Sequence, residues 1–280
     1  MVHAKVIKAV KGVAAVDGAG VSLTRVLGRG TIEDFDPILM LDSFDSTNPN
    51  DYLAGFPTHP HRGIETVTYL SRGRMDHKDS MGNEGSILDG DVQWMTAGSG
   101  IMHSEFPKES ERMLGLQFWL NLPSTEKMTE PKYFDIKNED IPVVSEDGAT
   151  YRVISGKFKD AEGVSPHHIQ AKFVEVKLEP RTKFVIPLEE MENHFIFNLE
   201  GGVKIDEKVY TEKTAVLIGQ GNTIEIESTD EPLHIIFVEA PRLNEPVAWA
   251  GPIAMNTNGE LRQAFEDLEN GTFVKVNARN

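Results

Sequence analysis

The 280-residue chain carries 28 Lys and Arg against 44 Asp and Glu, a formal net charge of −16, and no cysteine. A surface of that sign repels phosphate backbones and anionic lipid, so direct nucleic-acid binding and membrane attachment are disfavoured. Without Cys there are no disulfides, thiolate nucleophiles or thiolate ligands, which leaves His and carboxylate as the strong metal donors.

The length exceeds the roughly 100 to 150 residues of a common domain, which favours two domains. Met1 to Gly12 alternates Lys with Val, Ile and Ala and builds no apolar signal core, and no run approaches the roughly 20 apolar residues of a membrane span. This predicts a soluble intracellular protein, cytoplasmic or, in a eukaryote, nuclear as well.

In chain order, residues 5–11 and 21–27 read as strands separated by the Gly18-Ala19-Gly20 turn, and an apolar strand over 38–44 follows Pro37. The stretch from Phe56 to Pro107 then gathers two sets of metal-ligand residues. In a strand alternate side chains share a face, so His59-x-His61 puts both imidazoles on one side, and His103-x-Glu105 repeats the spacing. Two strands thus offer four ligands. The glycines at 73, 82, 85, 90, 98 and 100, with apolar runs over 64–70 and 92–95, give the pattern of antiparallel strands folding back, and a small barrel with ligands pointing inward is predicted.

Residues 114–122 alternate large apolar side chains and close on Pro123, as a last strand of that barrel would. The polar segment 123–149, with Pro131, Pro142 and the Glu146-Asp147-Gly148 turn, reads as a crossing between domains. Further strands are predicted over 172–178, 183–187, 194–199, 214–218, 223–226 and 233–238. Residues 193–201 match 65–73 in rhythm, which implies an internally duplicated barrel, but the second half has no His-x-His. His194 and His234 stand alone in strands, and the side chains of His167 and His168 would point apart in one, so these four are assigned structural or surface roles. Leu261, Phe265 and Leu268 recur at helical spacing and Gly271 supplies a stop, so an amphipathic helix is predicted over 259–271.

Several motifs together resemble the pirins, a branch of the cupin superfamily. They are His-Pro-His-Arg-Gly-Ile-Glu-Thr-Val-Thr-Tyr-Leu at 59–70, Gly-Asp-Val-Gln-Trp-Met-Thr-Ala-Gly-Ser-Gly-Ile-Met-His-Ser-Glu at 90–105 and Leu-Gly-Leu-Gln-Phe-Trp-Leu-Asn-Leu-Pro at 114–123. Shorter pieces at 35–44, 126–133 and 251–257 extend the likeness over nearly the whole chain. The resemblance implies an all-β bicupin: two stacked barrels with a short C-terminal helix, a metal-binding cupin domain at 1–135 and a cupin-like domain without ligands at 136–280. It also implies a mononuclear iron held by His59, His61, His103 and Glu105. The general cupin pattern would instead offer Glu65, which shares parity with His59 and His61; if Glu105 is the ligand, Glu65 becomes a supporting or packing carboxylate.

Imidazole and carboxylate donors without sulfur suit Fe(II), while Zn, Mn, Cu, Ni or Co could occupy the same set. Two functions follow from the resemblance. One is a quercetin 2,3-dioxygenase-like oxidoreductase that opens a flavonol with O2 and releases carbon monoxide, Glu105 taking the 3-hydroxyl proton. The alternative is an iron-containing regulatory protein that binds a protein partner, such as a transcription or metabolic cofactor, without turnover. A cupin acting on a sugar or another small metabolite is a third reading. Met95, Met102, Phe118 and Trp119 are candidates for an apolar wall against a flat ligand, although such residues in strands are more often core.

Overall fold

Short alternating runs punctuated by glycine bury one face each only as strands, and strands dominate the computed structural model, which describes residues 2–190 and 192–276. The first part of the chain forms β1 (Val6–Lys11), β2 (Val13–Asp17), β3 (Val21–Leu27), β4 (Ile38–Ser46), β5 (Phe56–His61), β6 (Ile64–Arg72), β7 (Arg74–Asp79), β8 (Glu84–Ile87), β9 (Val92–Thr96), β10 (Ile101–Lys108), β11 (Met113–Asn121) and β12 (Lys132–Ile136). There follow β13 (Val143–Glu146), β14 (Ala149–Ser155), β15 (Lys157–Phe158), β16 (Ala161–Glu162), β17 (Lys172–Leu178), β18 (Lys183–Pro187), β19 (Glu192–Glu200), β20 (Val203–Ile205), β21 (Lys208–Tyr210), β22 (Thr214–Ile218), β23 (Thr223–Ser228) and β24 (Leu233–Pro241). A small hairpin, β25 (Ala248–Ala250) with β26 (Ile253–Met255), precedes α1 (Asn258–Glu269), the one α-helix among the described residues.

Two compact units result. One gathers residues 14–25, 38–138 and the chain from Leu243 onward; the other gathers the start of the chain through Val13, residues 26–37 and residues 139–242. The first barrel has a seven-stranded sheet in the order β12-β9-β6-β11-β4-β3-β2 and a four-stranded sheet β5-β10-β7-β8. The second barrel repeats this as β1-β22-β19-β24-β17-β14-β13 and β18-β23-β20-β21. Strand for strand the orders correspond, with β6 matching β19, β5 matching β18 and β10 matching β23. The rhythm shared by residues 65–73 and 193–201 is therefore a true internal repeat, since these residues fall on β6 and β19 and their closing glycines.

Two elements depart from the sequence reading. The N-terminal strand β1 pairs antiparallel with β22, Val10 opposite Ala215, and so counts with the second barrel. The polar segment 123–149 is more than a crossing: β12 pairs with β9, Phe134 opposite Trp94, and β13 pairs with β14. Both are edge strands of their sheets. An edge strand is paired on one side only and needs no continuous apolar run, so periodicity understates it. The predicted terminal helix is present, opened by a capping box in which Thr257 Oγ1 accepts from Glu260 N and Glu260 Oε2 accepts from Thr257 N.

The interiors of the corresponding four-stranded sheets differ. In the second barrel Phe184 and Ile186 of β18 and Ile224 and Ile226 of β23 are buried in an apolar core with Val174, Val176, Ile196, Val216 and Phe237. The matching strands of the first barrel, β5 and β10, bury His61, His103 and Glu105. Burying such polar groups costs about 1 to 3 kcal/mol each unless they are paired, so their presence in a sheet whose counterpart is apolar singles out this sheet as the candidate site. The lone histidines of the second barrel face carboxylates: His194 Nε2 lies 3.0 Å from Glu239, and His234 Nε2 lies 2.8 Å from Glu175.

Candidate metal centre

Strand β5, Phe56-Pro57-Thr58-His59-Pro60-His61, holds two prolines, which give up ladder N–H groups and are tolerated because β5 is the edge of its sheet. It pairs antiparallel with β10 so that His59 stands opposite His103 and His61 opposite Ile101, with an irregularity before Phe56 meets Glu105. Pairing and alternation together bring three imidazoles to one point. Their ligand nitrogens all lie within 4.8 Å of one another. His59 Nε2 is 3.1 Å from His61 Nε2 and 2.9 Å from His103 Nε2.

Neutral imidazoles cannot satisfy this arrangement among themselves. His59 Nδ1 lies 2.9 Å from the Pro57 carbonyl and His61 Nδ1 lies 3.0 Å from the Pro252 carbonyl. A carbonyl only accepts, so each Nδ1 carries the proton and each Nε2 presents a bare lone pair to the other. Burial, with the neighbouring His59 second, pulls His61 down to about 3, and burial holds His103 well below the usual imidazole range. Protonating these two rings is therefore disfavoured, and the convergence of their nitrogens suits a metal cation instead. Two nitrogens each about 2.1 Å from one ion and at right angles to each other are roughly 3.0 Å apart, which matches the observed spacings. The three histidines fit a metal.

Glu105 follows on the same face of β10 and is buried, but it lies outside the 4.8 Å group, which contains the three histidines. Gln117 Nε2 of β11 donates to both carboxylate oxygens, at 3.1 and 3.0 Å, and Thr68 Oγ1 stands 3.5 Å from Oε1. Burial pushes the Glu105 carboxyl above the ordinary carboxylate range, against the pull of His59 and Gln117. Glu65, fully buried on β6, accepts from Thr96 Oγ1 at 2.7 Å and is likewise outside the histidine group.

One wall is aromatic. The half-buried Trp119 meets His61 edge-on at 4.9 Å between ring centres, and Trp249 of β25 lies 6.0 Å from Trp119. Trp119 Nε1 donates to Gln117 Oε1 at 3.2 Å, which fixes the Gln117 amide with its NH2 toward Glu105. Of the other candidates for an apolar wall, Met95 and Phe118 are fully buried core residues, and Met102 packs against Ile253, Met255 and Phe273.

Gln117, Trp249 and the Pro252 carbonyl escaped the sequence reading. Gln117 had a signal, a lone amide inside an otherwise apolar strand run. Trp249 and Pro252 had none, because they reach the site from far along the chain and Pro252 acts through its backbone.

Two antiparallel barrels of matching strand order, one with an apolar interior and one with a histidine cluster, define a bicupin. The family model for pirin matches residues 20–120, and that for the pirin C-terminal cupin domain matches residues 173–274. A pirin-like protein of Caulobacter vibrioides is 43% identical over 272 residues, 96% of this chain and 98% of its own. Pirin of Homo sapiens is 40% identical over 261 residues, 91% of this chain and 88% of its own. Among solved structures, quercetin 2,3-dioxygenase from Acinetobacter baumannii aligns with a TM-score of 0.89 at 31% identity, covering 97% of this chain and 98% of that one. The chain belongs to the pirin family. No helix among the described residues is long and apolar enough to cross a membrane.

Proposed function

We propose that this protein is a metal-dependent dioxygenase that opens the ring of a flavonol such as quercetin with O2 and releases carbon monoxide. The observation that carries the reading is a buried carboxylate, Glu105, held by Gln117 beside three converging imidazoles and an aromatic wall. The likeness to the Acinetobacter baumannii enzyme supports the substrate class. His59, His61, His103 and Glu105 hold the ion, and Fe(II) is favoured by a donor set of imidazole and carboxylate without sulfur, in competition with Zn, Mn, Cu, Ni and Co. When bound, the metal supplies Lewis acidity toward the substrate oxygen and a place for O2.

The residues do the rest. Glu105 accepts the proton of the flavonol 3-hydroxyl; burial raises its basicity, and Gln117 Nε2 keeps the carboxylate oriented for the transfer. Trp119 and Trp249 receive the flat rings. Aromatic pairs contribute about 0.5 to 1.5 kcal/mol beyond area burial, so Trp249→Ala is expected to raise KM by about 2- to 10-fold with little change in kcat. An unchanged KM would remove Trp249 from the substrate wall.

The central test is anaerobic reconstitution with Fe(II), then measurement of O2 uptake and carbon monoxide release over a panel of flavonols. The expected result is matched O2 consumption and carbon monoxide release with a 3-hydroxyflavone, and neither with the flavone lacking that hydroxyl. Absence of turnover with every flavonol would overturn the enzymatic reading and leave the protein-partner role as the reading to pursue.

A further inference from the structure

Arg62 directly follows His61 and is 2% exposed. A guanidinium keeps its charge inside a protein, so burial at this depth requires full pairing. Its Nε donates to the Ser99 carbonyl, Nη1 to Asp267 Oδ2 of α1 and Nη2 to the Phe273 carbonyl, each at 2.8 Å. The guanidinium also lies 4.2 Å from the centre of the Phe273 ring. Asp267 and Phe273 are more than 200 residues away in sequence.

The neighbours of Arg62 are tied to the same segment. His61 Nδ1 meets the Pro252 carbonyl at 3.0 Å, and Ala254 N donates to the Arg62 carbonyl at 3.1 Å. Lys127 Nζ donates to the Gly63 and Ala254 carbonyls, both at 2.8 Å. Gly63 has φ +77°, and a Cβ there would come within 2.1 Å of the Ala254 oxygen, so the fit allows no side chain. On the adjacent strand β10, Met102 packs against Ile253, Met255 and Phe273. Lys275 Nζ and Arg62 Nη1 lie 2.9 and 2.8 Å from Asp267 Oδ2, and together they hold its carboxyl well below the usual range.

We infer that residues 248–276 are a working part of the metal site, and that Arg62 is a positioning residue that clamps this segment so that the Pro252 carbonyl holds His61 ready for metal. The inference rests on reading His59, His61 and His103 as ligands; it adds that docking of a remote segment sets the tautomer of one of them. The Pro252 carbonyl selects the Nδ1–H form, whose Nε2 lone pair is the one a metal needs. Docking and metal binding then favour each other, and the coupling is reciprocal.

The test uses the full-length apoprotein and Ni(II) as probe. Arg62→Met is expected to weaken Ni(II) binding by about 10- to 100-fold, the usual cost of losing a group that orients a ligand. Arg62→Lys, which keeps the charge, should restore part of the affinity, and Asp267→Asn should weaken binding in the same direction by less. In the parent, Ni(II) should slow amide hydrogen exchange across α1, and diamagnetic Zn(II) in its place should preserve the His61 Nδ1–H signal in NMR spectra, responses that a purely structural clamp would not give. Parent-like Ni(II) affinity in Arg62→Met protein with native near-ultraviolet circular dichroism would overturn the inference. So would α1 exchange that is identical with and without Ni(II). If Arg62→Met does not fold, Asp267→Asn and the exchange comparison on the parent decide. None of these readouts involves turnover, so inactivity toward flavonols leaves the inference standing, whereas a parent that binds no Ni(II) overturns it together with the ligand assignment.

Discussion

Replacing His61 with alanine is expected to leave the protein without its metal. Reconstituted parent protein should carry about one ion per chain by elemental analysis and the variant less than about a tenth of that, because the site loses one of three imidazoles aimed at a common focus. The remaining pair, His59 and His103, have Nε2 atoms 2.9 Å apart but only Glu105 to complete them, and its carboxylate is already engaged by Gln117. A second signature comes from stability. A ligand that binds only the native state stabilises it by RT ln(1 + [L]/Kd), about 2.7 kcal/mol at one hundred times Kd. The parent should show that metal-dependent rise in melting temperature and the variant should not. His194→Ala is the control: it removes an equally buried imidazole, one that faces Glu239 in the second barrel, and metal content should not change. A His61→Ala protein that still carries one ion per chain would mean that the donors lie elsewhere.

The parts of the fold and site legible in the sequence are those governed by local alternation. His59-x-His61 and His103-x-Glu105 each fix a face by parity, and the strands from Ile64 to Arg72 and from Met113 to Asn121 announce themselves as long apolar runs. What parity cannot decide is distance within a face. Glu105 and Glu65 are both buried, yet one is met by Gln117 and the other by Thr96, and those partners come from cross-strand pairing that no local pattern encodes. The same limit applies to β1, whose Lys-rich alternation is equally compatible with either barrel until its partner β22 is known. It applies most to the Pro252 carbonyl, 191 residues from His61, since a backbone acceptor leaves no mark in composition or spacing. The lack of a His-x-His pair in the second half was legible, and β18 and β23 bring Phe184, Ile186, Ile224 and Ile226 to the core of the sheet that matches the histidine-bearing one.

The Glu105→Gln variant should keep most of its metal and lose most of its carbon monoxide release. Glutamine keeps a carbonyl oxygen as a weak donor but has neither the charge nor the basicity to take a proton, and removal of a general base lowers rates by about 10²- to 10⁴-fold. The surroundings determine how cleanly this reads. Gln117 Nε2 now donates to both carboxylate oxygens, so a glutamine at 105 sets one NH2 against another. A flip of the new amide leaves an NH2 at a similar distance, so relief requires a flip of Gln117, which would bring its NH2 toward the Trp119 Nε1–H that Oε1 now accepts. A variant in which Trp119 fluorescence matches the parent has kept the wall intact, and its loss of turnover then reports basicity alone. Glu65→Gln is the matched comparison. Its carboxylate accepts from Thr96 Oγ1 on a different strand pair, and the variant should retain both metal and turnover. The opposite outcome, an empty site in Glu65→Gln with metal and carbon monoxide release intact in Glu105→Gln, would transfer the carboxylate ligand to β6 and withdraw Glu105 from the chemistry.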